Sequence, residues 1–189
     1  MLTASELRSG MALRIDGTLY KVIGAEYHGG QGKMGGVAHA KLRNLETGTM
    51  RELRFRSDEL VEEVLPERQG MQFLYKDEQA SYFMHPETFE QVAIDNARLG
   101  RAAAFLDEGM VVPVEFFDGN PISIVFPEIV DLKVADTAPA VHSQGVTNVW
   151  KQARLANGLP ISVPPFISPG EIIRVEVERG VYVERAKKK

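Results

Sequence analysis

Apolar and polar residues alternate with period two over much of this chain, in short runs separated by turn residues. Met11, Leu13 and Ile15 alternate with Ala12 and Arg14, and Asp16-Gly17 supplies a tight turn. Leu19, Lys21, Ile23, Ala25 and Tyr27 then alternate with Tyr20, Val22, Gly24 and Glu26. After a glycine-rich interval, Ala38, Ala40 and Leu42 fall on one strand face and His39, Lys41 and Arg43 on the other. Thr47-Gly48 turns the chain into a further alternating stretch over 50–55, with Arg51 read as opposite Leu53 and Phe55. Residues 1–65 are expected to form a small barrel of short strands.

Pro66 and Gly70 bracket a polar stretch read as a linker. Strands are predicted over 72–75, 82–84, 111–117 and 121–126, where aromatic and β-branched residues concentrate. Turns are predicted at 77–79 and 118–120. Leu99, Ala102, Ala103 and Leu106 repeat at helical spacing before Gly109, which predicts one helix over 95–106. Short strands with a single helix suit an OB-like barrel. The last third repeats this character without the helix. Its predicted strands are 129–134, 159–163, 172–177 and 181–183, interrupted at 136–139 and at Pro164-Pro165, with a frayed tail from Ala186. The domain boundaries that follow are 1–65, 66–127 and 128–189.

The 189 residues carry a net charge of −4, but unevenly. The first 65 are neutral, 66–127 are net −6, and the remainder is net +2. Within the first third, Lys33, Lys41, Arg43, Arg51, Arg54 and Arg56 face only Glu46 and Glu52 over positions 33–56. Such a cluster is either a solvated strand surface or a patch that meets a polyanion. There is no cysteine, which removes disulfides, thiol nucleophiles and cysteine metal sites. The four histidines, His28, His39, His85 and His142, have no zinc-like spacing. No signal-peptide pattern and no apolar run of roughly 20 residues is present, so a cytoplasmic protein with no membrane partner is expected.

Residues 28–36 are the most unusual stretch: five glycines surround a single charged side chain, Lys33. Gly30-x-Gly32-x-x-Gly35 matches the dinucleotide fingerprint on paper, but that motif works only where the loop opens a helix, and here a strand pattern follows. Kinase and Walker A readings also fail, since the companion motifs and the hydroxyl after the lysine are missing. No catalytic constellation emerges, so the chain is not expected to be an enzyme and no cofactor is expected. What remains is a lysine at the tip of a hairpin, with a basic strand face behind it and further β modules. RNA is the polyanion such barrels most often meet.

The residues resemble the bacterial translation elongation factor P family from about Leu7 to Arg185. The motifs are Gly32-Lys33, Ala38-His39-Ala40-Lys41-Leu42-Arg43-Asn44-Leu45, Thr47-Gly48, Tyr82-Phe83-Met84, Glu87-Thr88-Phe89-Glu90-Gln91, and Asn120-Pro121-Ile122-Ser123. They continue with Asp136-Thr137-Ala138-Pro139, Lys151-Gln152-Ala153-Arg154-Leu155-Ala156-Asn157-Gly158, and Val163-Pro164-Pro165-Phe166-Ile167. The resemblance implies an all-β protein of three small barrels, an N-terminal SH3/KOW-like domain and two OB-fold domains, L-shaped like a tRNA. It implies a monomer that binds both subunits of the ribosome between the peptidyl and exit sites. It further implies that the Lys33 loop positions peptidyl-tRNA and so favours peptide-bond formation at consecutive prolines, an orientational aid to chemistry done by the ribosome.

By the same resemblance, Lys33 is the tip residue that a lysine-modifying enzyme extends in many relatives, flanked here by Gly32 and Met34. His39, Lys41, Arg43, Arg51, Arg54 and Arg56 become candidate RNA contacts, without base specificity. Three positions depart from the common pattern. Gln31-Gly32-Lys33-Met34 replaces Pro-Gly-Lys-Gly, so Lys33 carries β-lysine, a different group or none, and rhamnosylation is not expected on a lysine. Residues 145–150 replace a polar, glycine-rich loop and bring in Trp150, either a packed residue or one that stacks on an RNA base. Ala140 replaces a glycine. Two alternatives stay open: a paralogue of elongation factor P with different stalling motifs, and an RNA-binding barrel protein that acts off the ribosome.

Overall fold

The computed structural model describes residues 1–30, 35–140 and 149–186. Its described residues are all-β in character, with antiparallel pairing throughout three sheets. The first sheet contains β1 (Leu2–Thr3), β2 (Ala12–Ile15), β3 (Thr18–His28), β4 (Val37–Asn44), β5 (Met50–Arg56) and β6 (Leu60–Val64). Their order is β1-β6-β2-β3-β4-β5. Leu13, Tyr20, Val22, Ala38, Ala40, Leu42, Phe55 and Val61 fill its core.

Simple alternation does not hold along β3. Val22 pairs with Leu42, but Gly24 pairs with Lys41, so Ile23 is an extra residue in a bulge. One added residue exchanges the two faces. Tyr20 and Val22 therefore face the core before the bulge, and Ala25 and Tyr27 share a face with Ala40 and Ala38 after it. Arg51 also differs from expectation. It pairs with Leu42, in phase with Leu53 opposite Ala40 and Phe55 opposite Ala38, so it lies on their face at its exposed end.

The second sheet holds β7 (Glu67–Lys76), β8 (Ala80–Met84), β9 (Gln91–Asp95), β10 (Val111–Phe117) and β11 (Asn120–Ile124), ordered β11-β10-β7-β8-β9. Its edges β9 and β11 approach each other, which curls the sheet toward closure. The expected linker is not one. Residues 67–70 are the start of β7, paired with β10 from Phe116 to Pro113. Their side chains are exposed and polar, so the stretch lacked the alternation of a half-buried strand.

The third sheet holds β12 (Ile129–Thr137), β13 (Lys151–Leu155), β14 (Pro160–Val163), β15 (Ile172–Glu176) and β16 (Val181–Arg185). Its order, β14-β13-β12-β15-β16, repeats the topology of the second sheet strand for strand. Val134, Leu155, Val163, Ile173 and Val175 are its fully buried members, and Ile167 from the β14–β15 connection is buried with them.

The expected helix over 95–106 is broken. A single α-turn, α1 (Asn96–Leu99), gives way to a 3-10 segment over Gly100–Phe105. Gly100 has φ +62 and sits against the guanidinium of Arg43, where a Cβ would overlap it. Only glycine fits that backbone and that contact. The chain forms two compact units. One comprises Met1–Gly100 and Asp107–Phe126, and the other Arg101–Leu106 and Pro127–Lys189. Within the second unit, Asn157 Nδ2 donates to the carbonyl of Ala104 at 3.3 Å. No helix among the described residues is long and apolar enough to cross a membrane.

Candidate nucleic-acid interface

The longest hairpin in the first sheet is β3–β4. Its pairing runs unbroken from the bulge to His28 opposite Val37. Gly36 closes its base. The Gly36 carbonyl accepts from the Ser57 amide at 2.8 Å, and the Tyr27 ring lies so close that a Cβ on Gly36 would overlap it. The stem is thus held on both sides up to the residues that flank the loop. Gly32, Lys33 and Met34, expected at the tip, lie outside the described residues, as do His142 and most of the 145–150 stretch.

The outward face of this stem carries a row of polar residues in register. Glu26, His39 and Arg54 stand side by side across β3, β4 and β5, and Lys41 stands beside Glu52. The His28 and His39 rings meet edge to face at 5.1 Å, and His28 Nε2 lies 3.8 Å from Glu26. Arg56 pairs with Asp58 at 3.2 Å. Lys41 and Arg54 are exposed and form no ion pair among the described residues. His39, Lys41, Arg54 and Arg56 therefore share one sheet face, whereas Arg51 is on the other.

The same face changes character at the opposite end of the hairpin. Lys21 and Arg43 are paired neighbours there, and both are turned away from solvent. Lys21 donates to Glu115 Oε2, to which the Ser123 hydroxyl also donates. Arg68 approaches Glu115 Oε1 with Nη2 at 3.0 Å and Nε at 3.2 Å. Glu115 is 1% exposed, so each oxygen of a buried carboxylate is engaged. Burial alone raises its pKa; the charge of Lys21 and the bonds from Lys21, Ser123 and Arg68 outweigh that and hold it below the ordinary value.

Arg43 was expected among the RNA contacts and is not placed to be one. It is 7% exposed, its Nη1 donates to the Leu99 carbonyl at 3.3 Å, and Gly100 packs on its guanidinium. Arg98 reinforces the contact in return, donating to the carbonyls of Leu45 and Pro121. Period-two reasoning put Arg43 correctly on the polar face but could not show that this end of the face is covered by the second sheet. The signal for the cover was available: Glu115 stands alone in the apolar run 111–117, and a carboxylate there requires a cationic partner.

Trp150 precedes β13 and is half exposed, with its indole edge-to-face against Tyr182 at 5.9 Å. It belongs to the second unit, whereas the hairpin residues belong to the first. Among the described residues no group of three or more histidine, aspartate and glutamate side chains is arranged to hold a metal ion.

Comparison with known proteins matches three family profiles in sequence order. Residues 3–61 match the elongation factor P KOW-like domain, 66–124 the elongation factor P OB domain, and 130–185 the elongation factor P C-terminal domain. Elongation factor P of Acidobacterium capsulatum is 40% identical over 185 residues, covering 98% of this chain and 99% of that protein. That of Roseiflexus sp. (strain RS-1) is 40% identical over 188 residues, covering 99% of this chain and all of its counterpart. The Thermus thermophilus protein is 38% identical over 187 residues, covering 98% and 100%.

This chain belongs to the elongation factor P family.

Membership makes it a translation factor of that type, built from a KOW-like sheet and OB sheets. Among solved structures, translation initiation factor 5A of Methanococcus jannaschii is similar over 66% of this chain and 92% of that one, at 16% identity and a TM-score of 0.41. Within the elongation factor P framework, the KOW-like profile covers the whole β3–β4 hairpin and the basic face behind it.

Proposed function

We propose that this family member binds both subunits of the ribosome, between the peptidyl and exit sites, and acts in the cytoplasm as a monomer. The Lys33 loop extends from the braced hairpin toward the acceptor end of peptidyl-tRNA. Lys41, Arg54, Arg56 and His39 meet backbone phosphates behind it as positioning contacts without base specificity. The factor favours peptide-bond formation at consecutive prolines by orienting the reactants, and leaves the chemistry to the ribosome. A lysine-modifying enzyme that extends Lys33 is a second partner in this reading.

The observation that carries the proposal is the hairpin stem. It is paired through His28 and Val37, locked at Gly36 by Tyr27 and Ser57, and cationic along one exposed face. A braced stem fixes the direction and reach of what it carries, which is what a positioning device requires. Ribosome profiling of cells with and without the gene tests it: pausing at proline runs is expected to rise on deletion. Unchanged pausing there would sink the reading. Lys33→Ala is expected to abolish rescue of a proline-run reporter with an unchanged melting temperature. Intact mass measurement of the native protein reads any group on Lys33 directly.

A further inference from the structure

A sheet edge presents unpaired backbone groups unless something covers it. In the second sheet β9 and β11 approach each other, and in the third β14 and β16 do, so both curl toward closure. The first sheet ends on β1, two residues long, and on β5, seven residues long. Among the described residues β5 pairs with β4 alone. Its register is unshifted and it holds no proline, so two common devices that blunt an edge are missing. Met50, Arg51, Glu52, Arg54 and Arg56 are all exposed along it.

The phase of the β4–β5 ladder decides which groups are open. The Ser57 amide donates to the Gly36 carbonyl at 2.8 Å, and the Asn44 amide donates to the Thr49 carbonyl at 2.9 Å. Hydrogen-bonded pairs alternate with non-bonded pairs in an antiparallel ladder. Arg51, Leu53 and Phe55 therefore direct their backbone groups to Leu42, Ala40 and Ala38. The amides and carbonyls of Met50, Glu52 and Arg54 point off the edge. The far end is closed. The Arg56 amide donates to Glu59 Oε2 and the Arg56 carbonyl accepts from the Glu59 amide, both at 3.0 Å. The Ser57 carbonyl accepts from the Ser5 amide at 3.2 Å.

We propose that β5 receives an extended segment of a protein partner as a further antiparallel strand, with acidic and apolar side chains in a set order. Main-chain bonds to Met50, Glu52 and Arg54 hold such a strand, and cross-strand side chains select it. Opposite Arg54 and Arg51 the match is a carboxylate. Opposite Leu53, half-buried at the margin of the core, and opposite Met50, 43% exposed, it is an apolar side chain. Arg54 and Arg51 lie on opposite faces of the sheet, so the acidic residues of the partner alternate in facing. Residues 50–56 hold three arginines against one glutamate, so two copies of this strand repel and an acidic partner is favoured over a second copy. RNA would use the arginines but has no use for amide and carbonyl pairs at strand spacing. The inference stands on the edge itself and does not depend on the proposed role of the hairpin.

The probe is the synthetic peptide acetyl-VEVTEV-amide, whose residues fall opposite Phe55 through Met50 in antiparallel register. The full chain is titrated with it, and amide hydrogen exchange is followed by NMR. Saturable binding is expected, with exchange slowed about tenfold at Met50, Glu52 and Arg54. No change is expected at Arg51, Leu53 and Phe55, whose amides already meet β4. The same peptide N-methylated at its threonine keeps every side chain but loses a main-chain donor, and its Kd is expected to be about tenfold higher. Arg51→Gln is expected to raise the Kd of the unmodified peptide about threefold. Absence of saturable binding overturns the proposal, as does equal affinity for the N-methylated peptide. Slowing of the same three amides on concentrating the chain without peptide would give the edge to a second copy and overturn it too. Slowing of them by a single-stranded RNA would assign the edge to nucleic acid instead.

Discussion

Lys41 and Arg43 are two residues apart on one strand and point to the same side, yet they live in different environments. Lys41 stands in solvent beside Glu52, and Arg43 is buried under Gly100 with its guanidinium on the Leu99 carbonyl. The same contrast separates Arg54 and Lys21. The distal half of the hairpin face is free to meet a polyanion. The proximal half joins the first sheet to the second through the Lys21–Glu115–Arg68 cluster and the reciprocal Arg43 and Arg98 contacts. A basic stretch in the sequence thus divides into an exposed part and a fastening part. The difference is set by what covers the strand, since charge and periodicity are alike in both.

The contrast breaks most visibly at Glu115. Glu115→Ala leaves the Lys21 ammonium buried without its counter-charge, and is expected to cost about 3–5 kcal/mol in urea unfolding. The double variant Lys21→Met with Glu115→Leu should recover most of that loss, because two apolar side chains need no mutual compensation. Arg43→Ala is expected to cost about 1–3 kcal/mol by the same measurement, since it leaves the Leu99 carbonyl without its donor.

A pH series sharpens the comparison. Glu115 has a folded pKa below its unfolded one, so the folded state gains stability that is fully present above the ordinary glutamate value of 4.5. That contribution is lost as pH falls below 4.5 through the folded value. The melting temperature of the unmodified chain should therefore fall more steeply on acidification than that of Glu115→Gln. Parallel curves for the two proteins would count against the buried pair.

At the exposed half the order of effects reverses. Lys41→Ala combined with Arg54→Ala should change stability by less than about 0.5 kcal/mol. It should weaken ribosome binding and lower its salt dependence, read by sedimentation across a salt series. The smallest effect is expected at Arg14 and Glu62, a 3.0 Å surface pair with both side chains over a third exposed. Removing it should shift stability by only about 0–0.5 kcal/mol.

Much of the fold was legible in the residues. Alternation at 38–42 places Ala38, Ala40 and Leu42 in the core. Where reading failed, a local physical cause is visible. The bulge at Ile23 exchanges the faces of β3, which no alternation rule anticipates. The start of β7 is polar on both sides and therefore resembles a linker. Gly100 ends α1 because Arg43 occupies the space a side chain would need, a tertiary constraint from 57 positions earlier in a different sheet. The candidate interface followed the same pattern. Its cations were identifiable by type, but the burial of Arg43 depended on Leu99 and Gly100, which lie far along the chain.

That distance has a consequence during synthesis. Lys21 and Glu115 are separated by 94 positions. At about 5–20 residues per second, the carboxylate is made roughly 5–20 seconds after the lysine. Once β6 has been made, the first sheet has its own core residues in hand, while Lys21 and Arg43 remain hydrated and the proximal face is uncovered until Glu115 follows. The nascent hairpin therefore presents a longer cationic strip than the finished protein. Its trimming to the distal half waits on translation of β10 and β11.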